Sequence, residues 1–242
     1  MAPASGSIPR ERLHDKVTRE IALGILRGTI GRGDSGLSTE GDLCRHLNVS
    51  RTILREAVKV LVAKGLIELR PKTGIRVRPR NEWNLVDPDL LSWLCEAGVD
   101  EHFIRDLCEV RAIVEPAAAE LAASRASDEE IEELLHWYHL IEVNTDNEEA
   151  RLDADRNFHA TIFTACHNVF LTQMNTTVGV ALRATQQIGV LLPQVMGESV
   201  LAHKKVADAI ARRDSAAARV AMERLINQST EHIQRVLHPR HE

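Results

Sequence analysis

The sequence predicts a mainly α-helical protein in two parts: a small N-terminal domain of three helices and a β-hairpin, and an all-α bundle of six to seven helices. Three observations predict this fold class. Apolar residues recur every three to four positions through most of the chain, which is the pattern of amphipathic helices. The alternation of apolar and polar residues that is typical of strands is confined to residues 66–80. The charge also changes sign between the two parts.

The charge of the chain is divided unevenly. Residues 1–80 contain sixteen Lys and Arg against eight Asp and Glu, whereas residues 81–242 contain fourteen against twenty-seven, so the net charge of −5 is the sum of +8 and −13. A basic module for a polyanion joined to an acidic module explains this division, and chance clustering of surface charge is the alternative. We therefore predict domains at residues 1–80 and 99–242, with a linker and docking helix at residues 81–98.

Composition excludes several classes of protein. The hydrophobic content of 44 % is enough to build a buried core, so a folded protein is expected. No run of about eighteen apolar residues occurs and the N-terminus lacks an apolar signal segment, so we expect a cytoplasmic protein without membrane contact. The four cysteines form no CxxC pair, which argues against a disulfide framework and a thiolate zinc site.

Three helices are predicted at the N-terminus. The first buries a stripe of apolar residues spaced by three to four: Leu13, Val17, Ile21, Ile25 and Leu26. The second is short and has Ser38 or Thr39 as its N-cap. The third runs from about Ser50 to Lys64 and stops at Gly65. Its expected buried residues are Leu54, Ala57, Val58 and Leu61.

The third helix also has an exposed basic side. Arg51, Arg55 and Lys59 are spaced by four residues and form a ridge apart from the apolar stripe. Two short helices joined by a tight turn, the second with cations and hydroxyls at its start, are typical of a helix-turn-helix. The arginines can donate to guanine or phosphate, and Ser50 and Thr52 can donate to phosphate oxygens. An exposed helix with ordinary surface charge is the alternative.

A β-hairpin is predicted directly after this helix, with strands in LIELR and IRVRPR around the turn PKTG. Four apolar residues are expected to face inward: Leu66, Leu69, Ile75 and Val77. Three basic residues are expected to alternate outward: Arg76, Arg78 and Arg80. The tip, with Lys72, Thr73 and Gly74, is small enough to approach phosphates or the minor groove, as a DNA-binding wing does.

This region closely resembles the winged helix-turn-helix of the GntR superfamily of bacterial transcription regulators. The family hallmark VSRTxxREAxxxLxxxGLI is present from Val49 to Ile67. The resemblance implies that four residues of the third helix contact operator DNA: Ser50, Arg51, Thr52 and Arg55. It also implies that Gly74 lies at the wing tip. The sequence departs from the family at Gly41, where members usually have an arginine that contacts DNA.

The remaining chain predicts helices only. Asp87 and Pro88 start a helix in the linker, Ser127 with Glu130 forms a capping box, and Asp214 is a further cap. No strand pattern competes with the helical one, so an all-α bundle is expected. Its predicted helices cover residues 100–126, 127–143, 149–167, 169 to about 192, 199–213 and 214–237.

Three residues of the bundle are candidate metal ligands. Asp155 and His159 are four apart and therefore lie on one face of a helix, and His203 is on a later helix. A carboxylate and two imidazoles are suitable ligands for a divalent metal such as zinc, nickel or manganese, and an incomplete protein set leaves positions for water or a substrate carboxylate. A hydrogen-bonded Asp–His pair without a metal is the alternative.

The bundle resembles the FCD ligand-binding domain, which defines the FadR subfamily of the GntR superfamily. The resemblance covers residues 10–238 with the N-terminal domain and implies a metal site of Asp155, His159 and His203, whereas Leu225 occupies the place of the usual third histidine. It places Arg111, in EVRAIVEP, where members often hold a carboxylate effector. A salt bridge from Arg111 to Glu115 is the alternative. Among FadR-type proteins the chain looks most like galactonate-responsive repressors of sugar-acid catabolism.

The sequence therefore predicts a transcription regulator, most simply a repressor. We expect a homodimer that binds a pseudo-palindromic double-stranded operator and is released by a small carboxylate effector, such as a sugar acid, bound by Arg111, Asp155, His159 and His203. One alternative is a metal-dependent enzyme that uses the last three residues, although spacing identifies no general base for it. Another is a DNA-binding protein without a ligand, for which the acidic bundle would be superfluous.

Overall fold

A computed structural model describes residues 13–30, 40–70, 74–189 and 194–238 of the chain. The chain divides into two compact units, residues 1–98 and 99–242. The described residues are mostly helical with one two-stranded antiparallel sheet, so the predicted fold class is confirmed. Within the described ranges, no helix is both long enough and apolar enough to cross a membrane.

The first unit begins with three helices, α1 (Leu13–Leu26), α2 (Glu40–Leu47) and α3 (Arg51–Ala63). Ser50 caps α3, because its side chain accepts a hydrogen bond from the backbone N–H of Ile53. Gly65 follows the helix with a φ of +74°, and a Cβ there would lie 2.9 Å from the carbonyl oxygen of Glu82. Both the conformation and the close approach therefore require glycine. The expected caps Ser38 and Thr39 lie outside the described residues.

The core of this unit lies between α1 and α3. Helix α3 buries Leu54, Ala57, Val58 and Leu61, as its periodicity predicts. Helix α1 buries Val17, Ile21 and Ile25, but Leu13 is 55 % exposed and its predicted burial is wrong. Leu13 is the first residue of α1 and burial begins one turn later, so the apolar stripe extends beyond the packed part of the helix.

The wing consists of β1 (Ile67–Arg70) and β2 (Gly74–Val77). Ile67 pairs with Val77 and Leu69 with Ile75, so all four side chains lie on one face of the hairpin. Ile67 and Ile75 are buried there, but Leu69 is 57 % exposed, against the prediction. Exposure along β1 increases from the buried Ile67 to the exposed Leu69 and Arg70, so only the start of the strand is covered.

The second strand is shorter than predicted. It ends at Val77, so Arg78 and Arg80 do not continue the outward alternation of Arg76. Arg78 is half-buried, with its backbone N–H donated to the carbonyl of Leu66, and Arg80 begins a 3-10 helix. The strand stops here because Pro79 has no N–H for a ladder hydrogen bond.

Helix α4 (Pro88–Ala97) completes the first unit. It starts at the predicted N-cap, Asp87, whose carboxylate accepts from two backbone N–H groups of the first turn. The helix packs against α1, and Arg19 of α1 donates to Glu96 at 2.6 Å. Lys64, after α3, forms ion pairs with Asp87 at 2.8 Å and Asp89 at 2.7 Å. Thus α4 is tied to the helix-turn-helix within residues 1–98. The division into residues 1–80, 81–98 and 99–242 stays a prediction.

The second unit is a bundle of helices. Its described residues form α5 (Glu101–Arg125), α6 (Asp128–Val143), α7 (Glu148–Ala165), α8 (Val169–Gly189), α9 (Gln194–Ala211) and α10 (Ser215–Leu237). The capping box of Ser127 with Glu130 is present, and Asp214 caps α10. The start of α9 lies five residues before the predicted Ser199.

Helix α5 occupies the middle of the bundle and packs against α7, α8, α9 and α10. Small side chains allow this close packing, since its second half buries Ala118, Ala119, Ala122 and Ala123. Its middle carries two charged residues into the interior, Arg111 and Glu115. Buried charges need partners, and these two residues pair with each other, while Glu115 also contacts His159 of α7.

Candidate functional site

The N-terminal part of α3 carries an exposed basic surface, the α3 face, formed by Ser50, Arg51, Thr52 and Arg55. Arg55 is 65 % exposed, and its Nε lies 3.3 Å from a carboxylate oxygen of Glu40. Exposed ion pairs of this kind contribute only about 0–1 kcal/mol, so a phosphate can displace Glu40 at little cost. The α3 face thus presents two arginines and two hydroxyls to solvent at the start of a helix.

The wing continues the basic surface in part. Gly74 has a φ of +81°, and a Cβ there would meet nothing within 4 Å, so backbone conformation and not crowding selects glycine. Arg70 lies 2.6 Å from Glu68 and Arg76 lies 4.0 Å from it, so one carboxylate offsets part of the positive charge of the strands. Lys72 lies outside the described residues.

The second unit brings Asp155, His159 and His203 together. Nε2 of His203, from α9, lies 2.9 Å from Oδ1 of Asp155, and Nε2 of His159 lies 4.0 Å from the same oxygen. One potential ligand atom from each residue lies within 4.8 Å of the other two. The two histidines are 2 % exposed, so the cluster faces the interior.

The tautomer of His203 is set by its other ring nitrogen. Nδ1 lies 2.8 Å from the carbonyl oxygen of Ser199 and therefore carries a proton that it donates. In the neutral ring Nε2 then has a lone pair, which faces the Asp155 oxygen and makes no aligned hydrogen bond within the described residues. Nε2 of His203 is therefore available as a ligand atom beside the carboxylate of Asp155.

A buried chain of charges leads from this cluster into α5. Nδ1 of His159 contacts one carboxylate oxygen of Glu115, and the other oxygen accepts from Nε of Arg111 at 2.6 Å. Burial raises the pKa of Glu115, but the Arg111 guanidinium and the His159 imidazole outweigh it and lower this pKa to about 2. The carboxylate is therefore ionised and lies against Nδ1 of His159, which is the place that a carboxylate takes behind a metal-binding histidine.

Arg111 makes the salt bridge that the sequence offered as its alternative role. The pair uses only Nε–H, and a guanidinium has four further N–H donors. Arg111 is 3 % exposed and also lines the cavity beside the cluster. The salt bridge and an interaction with a ligand are therefore compatible at this position.

Asp155 is held from both sides. Its Oδ2 accepts from Nε2 of Gln186 at 2.8 Å, and Oε1 of Gln186 accepts from Arg156 at 3.0 Å. Burial raises the pKa of Asp155, but His203 and His159 hold it well below its usual range. Asp155 is therefore an anion with Oδ2 bound to an amide and Oδ1 directed at the two histidines.

The cluster opens into a cavity of about 440 Å³ in the second unit, a size typical of small-molecule sites. Arg111, Asp155, His159 and His203 all line it. Leu225, on α10, contributes an apolar part of the wall. The other lining residues include several polar side chains: Thr185, Gln186, Ser199, Gln228, Ser229 and His232.

Sequence reasoning missed the other polar residues of this cavity, among them Gln186, Ser199 and His232. Gln186, Ser199 and His232 lie on different helices, and no short motif joins them to the DxxxH of α7. A weak signal existed for His232, because a polar residue beside the buried Ile233 breaks the apolar pattern of α10. The spacing of four residues predicts the pairing of Glu115 with Arg111, but it does not predict the second contact of Glu115, with His159 on another helix.

Comparisons with known families decide what kind of protein carries these two surfaces. The model of the bacterial regulatory proteins of the gntR family matches residues 13–77, and the model of the FCD domain matches residues 106–228. The chain belongs to the GntR family. The predicted combination of a GntR DNA-binding domain with an FCD domain is confirmed. In this GntR-family chain the α3 face lies in the first matched region, and most residues that line the cavity lie in the second.

Known relatives of this GntR-family chain are regulators. The galactonate operon transcriptional repressor of Escherichia coli (strain K12) is 32 % identical over 227 residues, which cover 92 % of this chain and 97 % of that protein. The putative L-lactate dehydrogenase operon regulatory protein of the same organism is 30 % identical over 223 residues, with 89 % and 83 % covered. The Uxu operon transcriptional regulator of Escherichia coli is 27 % identical over 197 residues, with 77 % and 73 % covered.

Solved structures share the fold. The Listeria monocytogenes protein Lar, described as controlling expression of the agr system, covers 94 % of this chain and 99 % of its own at 17 % identity, with a TM-score of 0.65. Escherichia coli McbR/YncC covers 94 % and 99 % at 15 % identity, with a TM-score of 0.55. At these identities the likeness concerns the fold alone.

Family membership selects among the alternatives left open by the sequence. GntR-family proteins are transcription regulators that bind operator DNA, so this chain is a DNA-binding transcription regulator. It is not an enzyme, because its family and its relatives are regulators. The Asp155–His159–His203 cluster therefore has to be explained by binding and not by turnover.

Proposed function

We propose that this regulator represses a sugar-acid catabolic operon and is released from its operator by a small hydroxylated carboxylate bound in the cavity of the second unit. The main support for this proposal is that Arg111 and the Asp155–His159–His203 cluster line one cavity. The remaining wall of that cavity is rich in hydroxyl and amide groups. A guanidinium matches the two oxygens of a carboxylate, and the polar wall matches hydroxyls. Two relatives are named for operons of galactonate and L-lactate dehydrogenase, which supports this ligand class.

We propose further that Asp155, His159 and His203 hold a divalent metal, zinc, nickel or manganese. The donor set fits, because one potential ligand atom from each of the three residues lies within 4.8 Å of the other two, and Nε2 of His203 makes no aligned hydrogen bond within the described residues. Glu115 lies against Nδ1 of His159, and the carbonyl oxygen of Ser199 fixes the tautomer of His203. The metal would supply a Lewis-acid site for the effector carboxylate. Leu225 offers no fourth ligand, so this set leaves positions for oxygen ligands.

The α3 face is the proposed DNA contact surface. Arg51 and Arg55 would donate to guanine or phosphate and Ser50 and Thr52 to phosphate, with the wing at Lys72 and Gly74 against the backbone. A homodimer would present one α3 face to each half of a pseudo-palindromic operator, since two-fold proteins read two-fold sites. Operator DNA of a bacterial regulator is reached from the cytoplasm, so we propose action there.

Effector and DNA oppose each other in this proposal. The effector-bound homodimer would have a lower affinity for the operator than the free homodimer. The operator would lower the affinity for the effector by the same factor, and the coupling free energy is typically about 1–3 kcal/mol. That size corresponds to roughly a 5- to 150-fold change in operator affinity, which is sufficient for regulation.

The deciding experiment starts from the DNA that the protein selects. Genomic fragments retained by the purified protein are sequenced, and fluorescence anisotropy then measures binding to the recovered site with and without D-galactonate, D-gluconate and L-lactate. We expect a preferred site near genes of acid catabolism and release by one of the hydroxy acids. Binding without preference for any site, or a preferred site from which none of the acids releases the protein, contradicts the proposal.

The metal is tested separately, by measuring the metal content of purified wild type and of His203→Gln. His136→Gln, at an exposed histidine, is the matched control.

A further inference from the structure

His232 is a buried polar side chain without a partner. It lies on α10, is 6 % exposed and lines the cavity of the second unit. Neither of its ring nitrogens has a hydrogen-bond partner within the part of the chain that the structure describes. Buried polar groups are nearly always paired, and leaving one unpaired is costly. An imidazole with two free nitrogens beside a cavity therefore indicates a partner that enters the cavity.

His232 belongs to a cavity-facing stripe of α10. Leu225, Gln228, Ser229 and His232 are spaced by three, one and three residues, so they lie on one face of the helix, and all four line the cavity. At a rise of about 1.5 Å per residue, the stripe extends roughly 10 Å along the helix axis. Its polar members begin one turn after Leu225. The wall formed by α10 is thus suited to a ligand with several polar groups along its length.

We infer that His232 is a specificity-determining residue that hydrogen-bonds a hydroxyl group of the effector and so selects polyhydroxylated acids over acids without hydroxyls. The inference rests on the proposed function and extends it to the part of the ligand remote from the carboxylate. A neutral imidazole offers one donor and one acceptor, and a hydroxyl offers the same two functions, so a polyol segment can satisfy both ring nitrogens. Apolar ligand atoms would satisfy neither.

Two features of the surroundings favour a hydroxyl over a carboxylate at this position. Burial and the charge of Arg235 lower the pKa of His232, so the ring is neutral at physiological pH and does not attract an anion as an imidazolium would. Of the three arginines that line the cavity, Arg111 is buried, whereas Arg235 is exposed and donates its Nε–H to the backbone carbonyl of Glu231. The effector is therefore oriented with its carboxylate toward the cluster and its hydroxylated end toward α10.

The test compares His232→Leu with His232→Gln by calorimetry, using D-galactonate and D-gluconate as hydroxylated probes and hexanoate as the six-carbon acid without hydroxyls. We expect His232→Leu to weaken binding of the preferred hydroxylated acid by about 10- to 100-fold, as expected for the loss of a buried hydrogen bond. Its affinity for hexanoate should not fall. The glutamine variant keeps a donor and an acceptor and should retain most of the affinity. His139→Leu, on an exposed side chain of α6, is the matched control and should bind like wild type.

The outcomes separate this inference from the proposed function. If wild type binds neither hydroxylated probe, the proposed function fails and the inference falls with it. If wild type binds one of them and His232→Leu binds it equally well, only the role of His232 is overturned. Should His232→Leu fail to fold, wild type itself is titrated while its histidine ring ¹⁵N signals are recorded, with His232 assigned from the glutamine variant. A shift of that signal with ligand supports the inference, and an unchanged signal contradicts it.

Discussion

Arg111 and Glu115 form an ion pair one helical turn apart inside the second unit, with Nε of Arg111 2.6 Å from Oε1 of Glu115 and side chains only 3 % and 1 % exposed. The second oxygen of Glu115 contacts His159, so one carboxylate serves both a guanidinium and an imidazole. The proposed effector-binding arginine and the proposed metal ligand are thereby joined through a single buried anion. Loss of this anion should affect both stability and the cavity.

Glu115→Gln should lower the free energy of unfolding by about 3–5 kcal/mol, because it leaves the buried Arg111 charge without its partner. Urea unfolding followed by circular dichroism measures the change. Glu120→Gln is the matched control, since Glu120 pairs with Arg219 at 2.8 Å but both side chains are more than two-fifths exposed. The control should cost less than about 1 kcal/mol. If both substitutions lower the free energy of unfolding by the same amount, the buried pair contributes no more to stability than the exposed pair does.

Arg51→Ala and Arg55→Ala should each weaken operator binding by about 1–3 kcal/mol if the arginines read bases, since each removes a guanidinium that can bind guanine through two hydrogen bonds. Anisotropy titrations with the selected operator measure the loss. Arg45→Ala, which removes an 82 % exposed arginine of α2 from outside the α3 face, is the control and should bind like wild type. Wild-type affinity in both α3 variants would remove these residues from the DNA contact.

Arg111→Lys should keep operator binding by the ligand-free protein but weaken release by the effector. Lysine retains the positive charge opposite Glu115, so the buried carboxylate keeps a partner, whereas the planar fork that matches a carboxylate is lost. The measurement is the concentration of hydroxy acid that releases half of the bound operator. Wild-type release by the variant would mean that the effector carboxylate is bound elsewhere in the cavity.

The sequence predicted helical faces better than it predicted where the packing on them ends. The buried side of α3 follows from its periodicity, because Leu54, Ala57, Val58 and Leu61 are spaced by three, one and three residues and all four are buried. Periodicity assigned Leu69 to the correct face of the hairpin, but the exposure of that residue depends on how far the covering elements extend.

Long-range contacts limited the prediction of the site in the same way. Asp155 and His159 lie on one helix, so their proximity could be read from a spacing of four. Their contacts with Glu115, Gln186 and His203 join residues of different helices. Such contacts depend on the packing of the bundle, which the spacing within a single helix does not specify.

Tyr138 offers a test of the bundle interior by pH, because it is the only tyrosine of the chain. Burial and the Glu142 carboxylate, which accepts its hydroxyl at 2.7 Å, raise the pKa of Tyr138 to about 12. The raised pKa stabilises the folded protein fully below the unfolded value of roughly 10, and this contribution is lost as the pH rises through the folded value. Tyrosinate absorbance after rapid pH jumps should show the high midpoint, and Glu142→Gln should lower it. A midpoint near 10 while the helices remain folded would contradict the buried contact.

Reciprocity tests the coupling between the two units without reference to any contact between them. If the effector weakens operator affinity by some factor, then operator DNA must weaken effector affinity by the same factor, because both express one coupling free energy. Calorimetry of the hydroxy acid against free protein and against the operator complex gives one ratio, and anisotropy with and without saturating acid gives the other. We expect equal ratios between roughly 5 and 150 in wild type. Asp155→Asn removes a charge from the Asp155–His159–His203 cluster. In this variant effector binding should be weaker, so more acid should be needed to saturate the protein. Unequal ratios in wild type would mean that the acid also binds a second site. An operator affinity that keeps falling as more acid is added would mean that the acid competes with DNA at the DNA-binding surface itself.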